Sequence, residues 1–254
     1  MVRRPLGNHH HGPDTQVVPS ESNELRELVA RARVVLWDFD GPICRLFAGH
    51  SAERVTDGLV EWLAGRGLLG LLTETERESP DPQVVLRAVD RRRLGSDLRA
   101  ELEERLTHEE LRAASSAMPT AWADPLIRTW TALGARLAVT TNNSARVVFT
   151  YLESRGLTAC FAPHIYGRTE DCHLLKPDPH CVHRALSAMR VAPSAALMIG
   201  DAPSDLVAAR EAGVPFLGYA RNERKEGLLR EAGVTTVVRS LETVLRELRR
   251  RPGA

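Results

Sequence analysis

The chain of 254 residues carries 34 basic and 33 acidic residues and is 43% hydrophobic, which suits one large globular domain or a domain with a smaller module. Its net charge of +1 gives no electrostatic footprint for nucleic acid or an anionic membrane surface, and no apolar run reaches the length of a membrane span. Four cysteines without CxxC spacing (Cys44, Cys160, Cys172, Cys181) and a polar start lacking the apolar core of a secretory signal are expected of reduced thiols in a cytoplasmic protein.

In chain order, residues 1–20 are rich in Pro, Gly and Asn and predict a disordered leader. The His9-His10-His11 run within it reads as a solvated tail rather than a metal site. A helix is expected over Glu21–Arg31, then an apolar strand Val34-Val35-Leu36-Trp37 that stops at Asp38-Phe39-Asp40-Gly41-Pro42. From about Arg45 to Met118 apolar residues fall at helical spacing, with a breaker at Ser79-Pro80-Asp81-Pro82 and no convincing strand. Strand and helix then alternate. Helices are expected over Leu126–Leu133, Ala145–Ser154, Pro179–Met189, Ser204–Ala212 and Leu241–Arg250. Strands are expected over Arg136–Thr140, His164–Tyr166, Ala196–Ile199, Pro215–Tyr219 and Val234–Val238. Such alternation implies an α/β fold, a parallel sheet with helices on both faces. Ligands bind such sheets beyond the C-terminal ends of the strands.

The polar clusters fall at those ends. Asp38 and Asp40 put like charges two residues apart, and a divalent cation offsets their repulsion; oxygen-only donors suit magnesium. Alone, the stretch Asp38-Phe39-Asp40-Gly41 is equally a surface turn capped by carboxylates. Thr141-Asn142 can hydrogen-bond phosphate oxygens, although by itself the pair is better explained as a helix cap, with Asn or Ser144 capping. In Lys176-Pro177-Asp178-Pro179 the prolines and Asp178 make a rigid helix start. Lys176 is left unexplained, because an ammonium near the positive end of a helix dipole needs an anion. Asp201 and Asp205 again place carboxylates at the sheet edge; one can cap a helix, but two are costly without a cation. Only Lys176 and Lys225 are lysines, which leaves 32 arginines. Unless it stands there by chance, a lysine kept against that bias marks a need for a compact ammonium.

In this order, each behind a strand, Asp38-Phe39-Asp40-Gly41, Thr141-Asn142, Lys176-Pro177 and Gly200-Asp201 with Asp205 resemble the four signatures of the haloacid dehalogenase superfamily, in its phosphatase branch. The resemblance runs from Arg33 to Tyr219. It implies a Rossmann-like three-layer core over 21–44 and 119–254, and a helical cap over 45–118 at the family's first cap position. It implies Asp38 as nucleophile, Asp40 as general acid and base, and Thr141 (with Asn142) as phosphate ligands. Lys176 would offset charge around the nucleophile. Mg2+ would be held by Asp38, Asp201 and the backbone carbonyl of Asp40, with Asp205 supporting the metal or orienting Lys176. The substrate implied is a small-molecule phosphate, with no nucleic acid or membrane partner. Asp40 favours phosphate esters over halides, because a halide leaving group needs no proton. A phosphosugar mutase would use the same aspartates, and a binding module that had lost catalysis would keep the fold; the intact set of site residues argues against the latter. Arg45 and His50, just past the first turn, are candidates for leaving-group contacts and equally for a solvated face of the first cap helix; Arg168 and Asp171 lie in a loop that could also face the site. His180 and His183 read as a solvated helix face, and Trp37 as packing on a flanking helix.

Overall fold

The computed structural model of the protein describes residues 21–93 and 97–250. The expected leader over 1–20, with its histidine run, lies outside the described residues. Six strands form one parallel sheet: β1 (Val34–Trp37), β4 (Arg136–Thr140), β5 (Ile165–Tyr166), β6 (Ala196–Gly200), β7 (Phe216–Tyr219) and β8 (Val237–Val238). Their order across the sheet is β5-β4-β1-β6-β7-β8. Two further strands, β2 (Cys44–Arg45) and β3 (Met118–Pro119), pair antiparallel outside it.

The sheet is sandwiched because its strands alternate. Val35 and Trp37, with Leu137, Val139, Leu197, Ile199 and Leu217, enter one apolar cluster. Helices Glu21–Arg31, Ala123–Ala132, Ala145–Ser154 and Leu241–Arg249 complete it. Val34 and Leu36, with Ala138, Met198 and Phe216, enter a second cluster under helices His180–Met189, Pro203–Glu211 and Glu223–Glu231. Successive side chains of a strand point to opposite faces, so a four-residue run buried throughout demands a layer on each side. Trp37 meets Trp130 of the helix Ala123–Ala132 edge-on, with ring centroids 5.9 Å apart.

Strand β1 lies between β4 and β6, with Val35 level with both Leu137 and Leu197. The chain runs to one side of β1 for β4 and to the other for β6. That reversal opens a crevice at the C-terminal end of β1, where Asp38 stands. The Asp38 N–H donates to the Ile199 carbonyl at 2.9 Å, so the residue is held by the sheet although it lies past the strand.

Between β2 and β3 the described chain is helical: Ala52–Gly65, Glu74–Arg77, Pro82–Arg92 and Asp97–Ser115. These helices share an apolar cluster of their own, which includes Val55, Leu59, Leu86, Leu102 and Leu106 and takes in Cys172 and Leu175 from the loop ahead of Lys176. The expected elements are recovered with small shifts of their ends. Besides the short helix Thr158–Phe161, three features differ. The short β2–β3 ladder closes the neck of the helical segment, where no strand was expected. Val234–Val238 contracts to the two-residue β8. The helix Glu223–Glu231 was not anticipated, because only Leu229 of its nine residues is buried and no apolar period marks it.

Trp37→Ala is expected to cost about 3–5 kcal/mol, the range for emptying a large aromatic from a packed core. Urea unfolding followed by circular dichroism measures this; a loss under about 1 kcal/mol would contradict the packing described.

Candidate active site

Asp38 and Lys176 meet at the floor of the crevice. The Lys176 ammonium donates to Asp38 Oδ1 at 2.7 Å and to the Thr140 carbonyl at 2.9 Å, and it pairs with Asp205 Oδ1 at 2.6 Å. All three partners are buried or nearly so. Burial, then the charge of Asp205, raises the Asp38 carboxyl to about 7 against the pull of Lys176, with Asp201 adding to the rise. Burial works against the ammonium of Lys176, but Asp205 and Asp38 outweigh it and hold its pKa above the ordinary value.

Asp205 is the first acidic residue of the helix Pro203–Glu211. Its Oδ2 accepts from the Asp201 and Ala202 N–H groups, both at 3.1 Å. One carboxylate oxygen therefore fixes the loop bearing Asp201 and the other fixes Lys176. A Cβ on Gly200 would lie 2.5 Å from the Cβ of Asp205, so glycine at that position lets the aspartate fold back onto the strand end. Gly41 is required for a similar reason. Its φ is +125°, and a Cβ there would lie 2.5 Å from Asp201 Cγ.

Carboxylate oxygens of Asp38, Asp201 and Asp205 lie within 4.8 Å of one another. Burial raises Asp201 to about 6 against Lys225, with Asp205 and Asp40 adding to the rise. Lys225 donates to Asp201 Oδ2 at 2.8 Å. Three carboxylates thus face two ammoniums, Lys176 and Lys225, and Asp40 adds a fourth carboxylate close by. Buried oxygen donors with charge left over are the donor set of a hard divalent cation. With both Asp205 oxygens already engaged, Asp38 and Asp201 are the side chains with an oxygen to spare.

Asp40 is set apart from that trio. Its Oδ1 accepts from the Leu46 N–H at 2.8 Å. Burial raises its carboxyl to about 6 against that bond, with Asp38 adding and Lys225 and Arg221 opposing. The turn beneath it is pinned by Thr120, whose hydroxyl donates to the Gly41 carbonyl at 2.5 Å. Thr141 and Asn142 follow β4. The Thr141 hydroxyl donates to Asn143 Oδ1 and accepts from the Asn143 N–H, each at 3.1 Å. The Asn142 amide is committed to the Lys176 backbone: its Oδ1 accepts from the Lys176 N–H at 2.8 Å and its Nδ2 donates to the Lys176 carbonyl at 3.1 Å. Asn142 thereby ties the second cluster to the third.

These residues open into one cavity of about 320 Å³, lined by Asp38, Asp40, Thr141, Asn142, Lys176, Asp205 and Lys225. Its far wall comes from Phe47, Ala52 and the turn Pro80-Asp81-Pro82-Gln83. In sequence that turn marked only a break between helices. Arg87 of the same helical segment donates to the Lys176 carbonyl at 2.8 Å. Arg45 lines a neighbouring cavity, whereas His50 is held by Glu109 at 2.7 Å and lines neither. Arg168 does not face the cleft. Its buried guanidinium bonds Glu110 at 2.9 and 3.2 Å, Thr107 at 3.0 Å and the Asn142 carbonyl at 3.0 Å. Glu110 also accepts from the Asn143 amide and the Ser144 N–H. Asp171 caps the turn at Cys172 and is exposed. Lys225 is the site residue that motif spacing missed; the scarcity of lysine was the signal.

The model of haloacid dehalogenase-like hydrolases matches residues 32–213. The chain belongs to that family. A phosphoglycolate phosphatase of Rhodospirillum rubrum is 30% identical over 205 residues, which cover 74% of this chain and 81% of that protein. Another, from Photobacterium profundum, is 35% identical over 82 residues, 32% of this chain and 35% of the other. Among solved structures, a predicted phosphatase from Clostridium acetobutylicum superposes with a TM-score of 0.64 at 17% identity, over 86% of this chain and 98% of the other. CbbY from Rhodobacter sphaeroides, solved with phosphate, gives 0.60 at 20% identity, over 86% and 99%; these two show a shared fold. With the family and the curated relatives in hand, the chain is a phosphoric monoester hydrolase, and no helix among the described residues is long and apolar enough to cross a membrane.

Glu110→Gln is expected to destabilise the protein by about 3–5 kcal/mol, because it leaves the Arg168 charge buried with its closest partner neutralised. Thermal and urea unfolding check this; a change within about 0.5 kcal/mol would remove the ion pair from any structural account.

Proposed function

We propose that this protein hydrolyses a small-molecule phosphate monoester through a phosphorylated aspartate at Asp38. The observation that carries the reading is the buried Asp38–Lys176–Asp205 triad opening onto a cavity that Asp40 also lines. Asp38 attacks phosphorus, and the bond from phosphorus to the leaving oxygen breaks. Asp40, its carboxyl raised to about 6, hands its proton to that oxygen. Water then loses a proton to Asp40 and attacks the phosphorus, which releases inorganic phosphate and restores Asp38. Lys176 keeps its proton throughout and balances the charge gathered at Asp38. The Thr141 hydroxyl, just past β4, donates to a phosphoryl oxygen by exchanging its bond to Asn143 Oδ1.

The residues suited to hold Mg2+ are Asp38 and Asp201, with the Asp40 carbonyl assigned by family likeness. When bound, the ion supplies positive charge to the phosphoryl oxygens. Asp205 we assign to orientation of Lys176 and of the Asp201 loop rather than to direct ligation.

We assign residues 45–118 as a cap over a core of 21–44 and 119–254. The supporting observations are the β2–β3 neck, the separate apolar cluster and the turn Pro80–Gln83 across the cavity. A roof of this kind admits compact substrates and excludes water during transfer. Phosphoglycolate, the substrate in the names of the two curated relatives, is the first compound to assay. A cytoplasmic location fits this role.

Asp38→Asn should abolish phosphate release with the fold intact by circular dichroism; near wild-type turnover by a verified, non-deamidated variant would sink the assignment. Asp40→Asn should lower turnover by at least about 10²-fold, the low end of general acid–base effects. The loss should be smaller for aryl phosphates whose leaving groups need little protonation. Chelation should silence the enzyme and Mg2+ restore it, while Ca2+, with its longer and more numerous bonds, should not. Full activity after exhaustive chelation would refute the metal assignment.

A further inference from the structure

A second cavity of about 320 Å³ adjoins the first, and Asp40, Phe47 and Ala52 belong to both walls. Arg45, Ala48, Ser51, Glu53 and Arg221 complete its lining. Arg45 lies on β2, five residues past Asp40. Arg221 lies two residues past the end of β7, on the loop that leads to Lys225. The two arginines also share the wall of a further cavity with Thr120, Tyr219 and Asn222, so they stand side by side between the two spaces.

Neither guanidinium has a hydrogen bond or ion pair among the described residues. The other arginines near the site are occupied: Arg87 on the Lys176 carbonyl and Arg168 on Glu110. Glu53 faces the same cavity without pairing to either arginine. The 14-residue helix Ala52–Gly65 begins on this wall and adds its positive end.

A phosphoryl group seated between Asp38, Thr141 and Lys176 directs its leaving oxygen to the proton donor, Asp40. The remainder of the substrate then extends past Asp40, toward Arg45 and Arg221. A planar guanidinium binds a carboxylate or a phosphate through two parallel hydrogen bonds, and two unpaired ones beside a carboxylate-rich centre favour a negative group over a neutral one. We propose that Arg45 and Arg221 form an anion subsite that takes a second negative group, a carboxylate or a second phosphate, carried by the leaving group. This deepens the phosphatase reading above and rests on it. The subsite restricts the substrates to phosphate esters of hydroxy acids and to bisphosphates, and binding there orients the ester for transfer.

The test compares wild type with Arg45→Ala, Arg221→Ala, the double variant and Arg221→Lys. Phosphoglycolate, a sugar bisphosphate and ethyl phosphate serve as substrates. Both side chains are exposed, so the alanine variants are expected to fold normally. Each single alanine variant should raise KM for the substrates that carry a second anionic group at least about tenfold, the scale of a lost charge-assisted bond. Ethyl phosphate should change by less than about twofold, and Arg221→Lys should recover part of the loss. If the larger effect falls on phosphoglycolate, the second group is a carboxylate; if on the bisphosphate, it is a phosphate. Equal losses for substrates with and without a second anionic group, or a wild type indifferent to that group, would overturn the subsite. Calorimetric binding of phosphoglycolate and ethyl phosphate to Asp38→Asn separates this failure from that of the phosphatase reading. A preference for phosphoglycolate that the double arginine variant abolishes upholds the subsite even without hydrolysis; no preference rejects it.

Discussion

Carboxylates withdrawn from water at one sheet edge set the constraint on which the structure turns. Asp38, Asp201 and Asp205 are each at most 8% exposed, and a buried charge is tolerated only when it is paired and hydrogen-bonded. The surroundings of β1 follow from that demand. Gly200 lets Asp205 fold back to the strand end, Gly41 lets the first turn close over Asp201, and the two lysines sit between and beside the carboxylates. The raised pKa values of Asp38, Asp40 and Asp201 express what is left over: burial costs more than the two ammoniums return. A site so arranged is poised for an added cation and for chemistry that moves negative charge.

The same rule operates one layer out. Glu110, on the last long helix before β3, neutralises Arg168 from the loop behind β5, and both side chains are fully buried. The pair also holds Asn143 and Ser144, directly after Thr141. Movement of that helix away from the sheet would therefore uncover a charge and loosen the loop after β4 together. Arg87, bonded to the Lys176 carbonyl, links a second helix to the same floor. The helical segment over the crevice is thus fastened to the groups it covers by polar contacts, and its apolar cluster meets the core through Cys172 and Leu175.

The sheet and the acidic centre were legible in sequence because β1, β4 and β6 are mainly apolar runs, each cut off by a polar cluster. Asp38, Thr141, Lys176 and Asp201 each stand directly after such a run or close to a helix start; the structure brings the first three to one cavity and Asp201 beside Asp38. Partnerships across long spans were not legible. Nothing local joins Arg168 to Glu110, 58 residues earlier, and Arg168 instead suggested a cleft-facing cation. Asn142, read as a phosphate donor, has both ends of its amide engaged with the Lys176 backbone. The helix Glu223–Glu231 stayed hidden because its face is polar nearly throughout, and with it the nearness of Lys225 and Arg221 to Asp40. The strands β2 and β3 are too short for any period to show.

The choice of lysine in a chain of 32 arginines has a geometric reason at position 176. An ammonium has three donors spread in a tetrahedral fan, and here three acceptors converge on one nitrogen: Asp38 Oδ1, Asp205 Oδ1 and the Thr140 carbonyl. A guanidinium spreads five donors in a plane and suits the flat edge of a single carboxylate, as at Glu110, where Arg168 bonds both oxygens. In the narrow space beneath the cavity the planar fork suits less well two carboxylates, one just past β1 and one on the helix Pro203–Glu211, together with the Thr140 main-chain oxygen. At position 225 the same compact head reaches Asp201 Oδ2 from a helix on the far side of the loop. The two lysines thus sit at opposite sides of the acidic trio, one under Asp38 and one against Asp201, and leave the face between them open to the cavity.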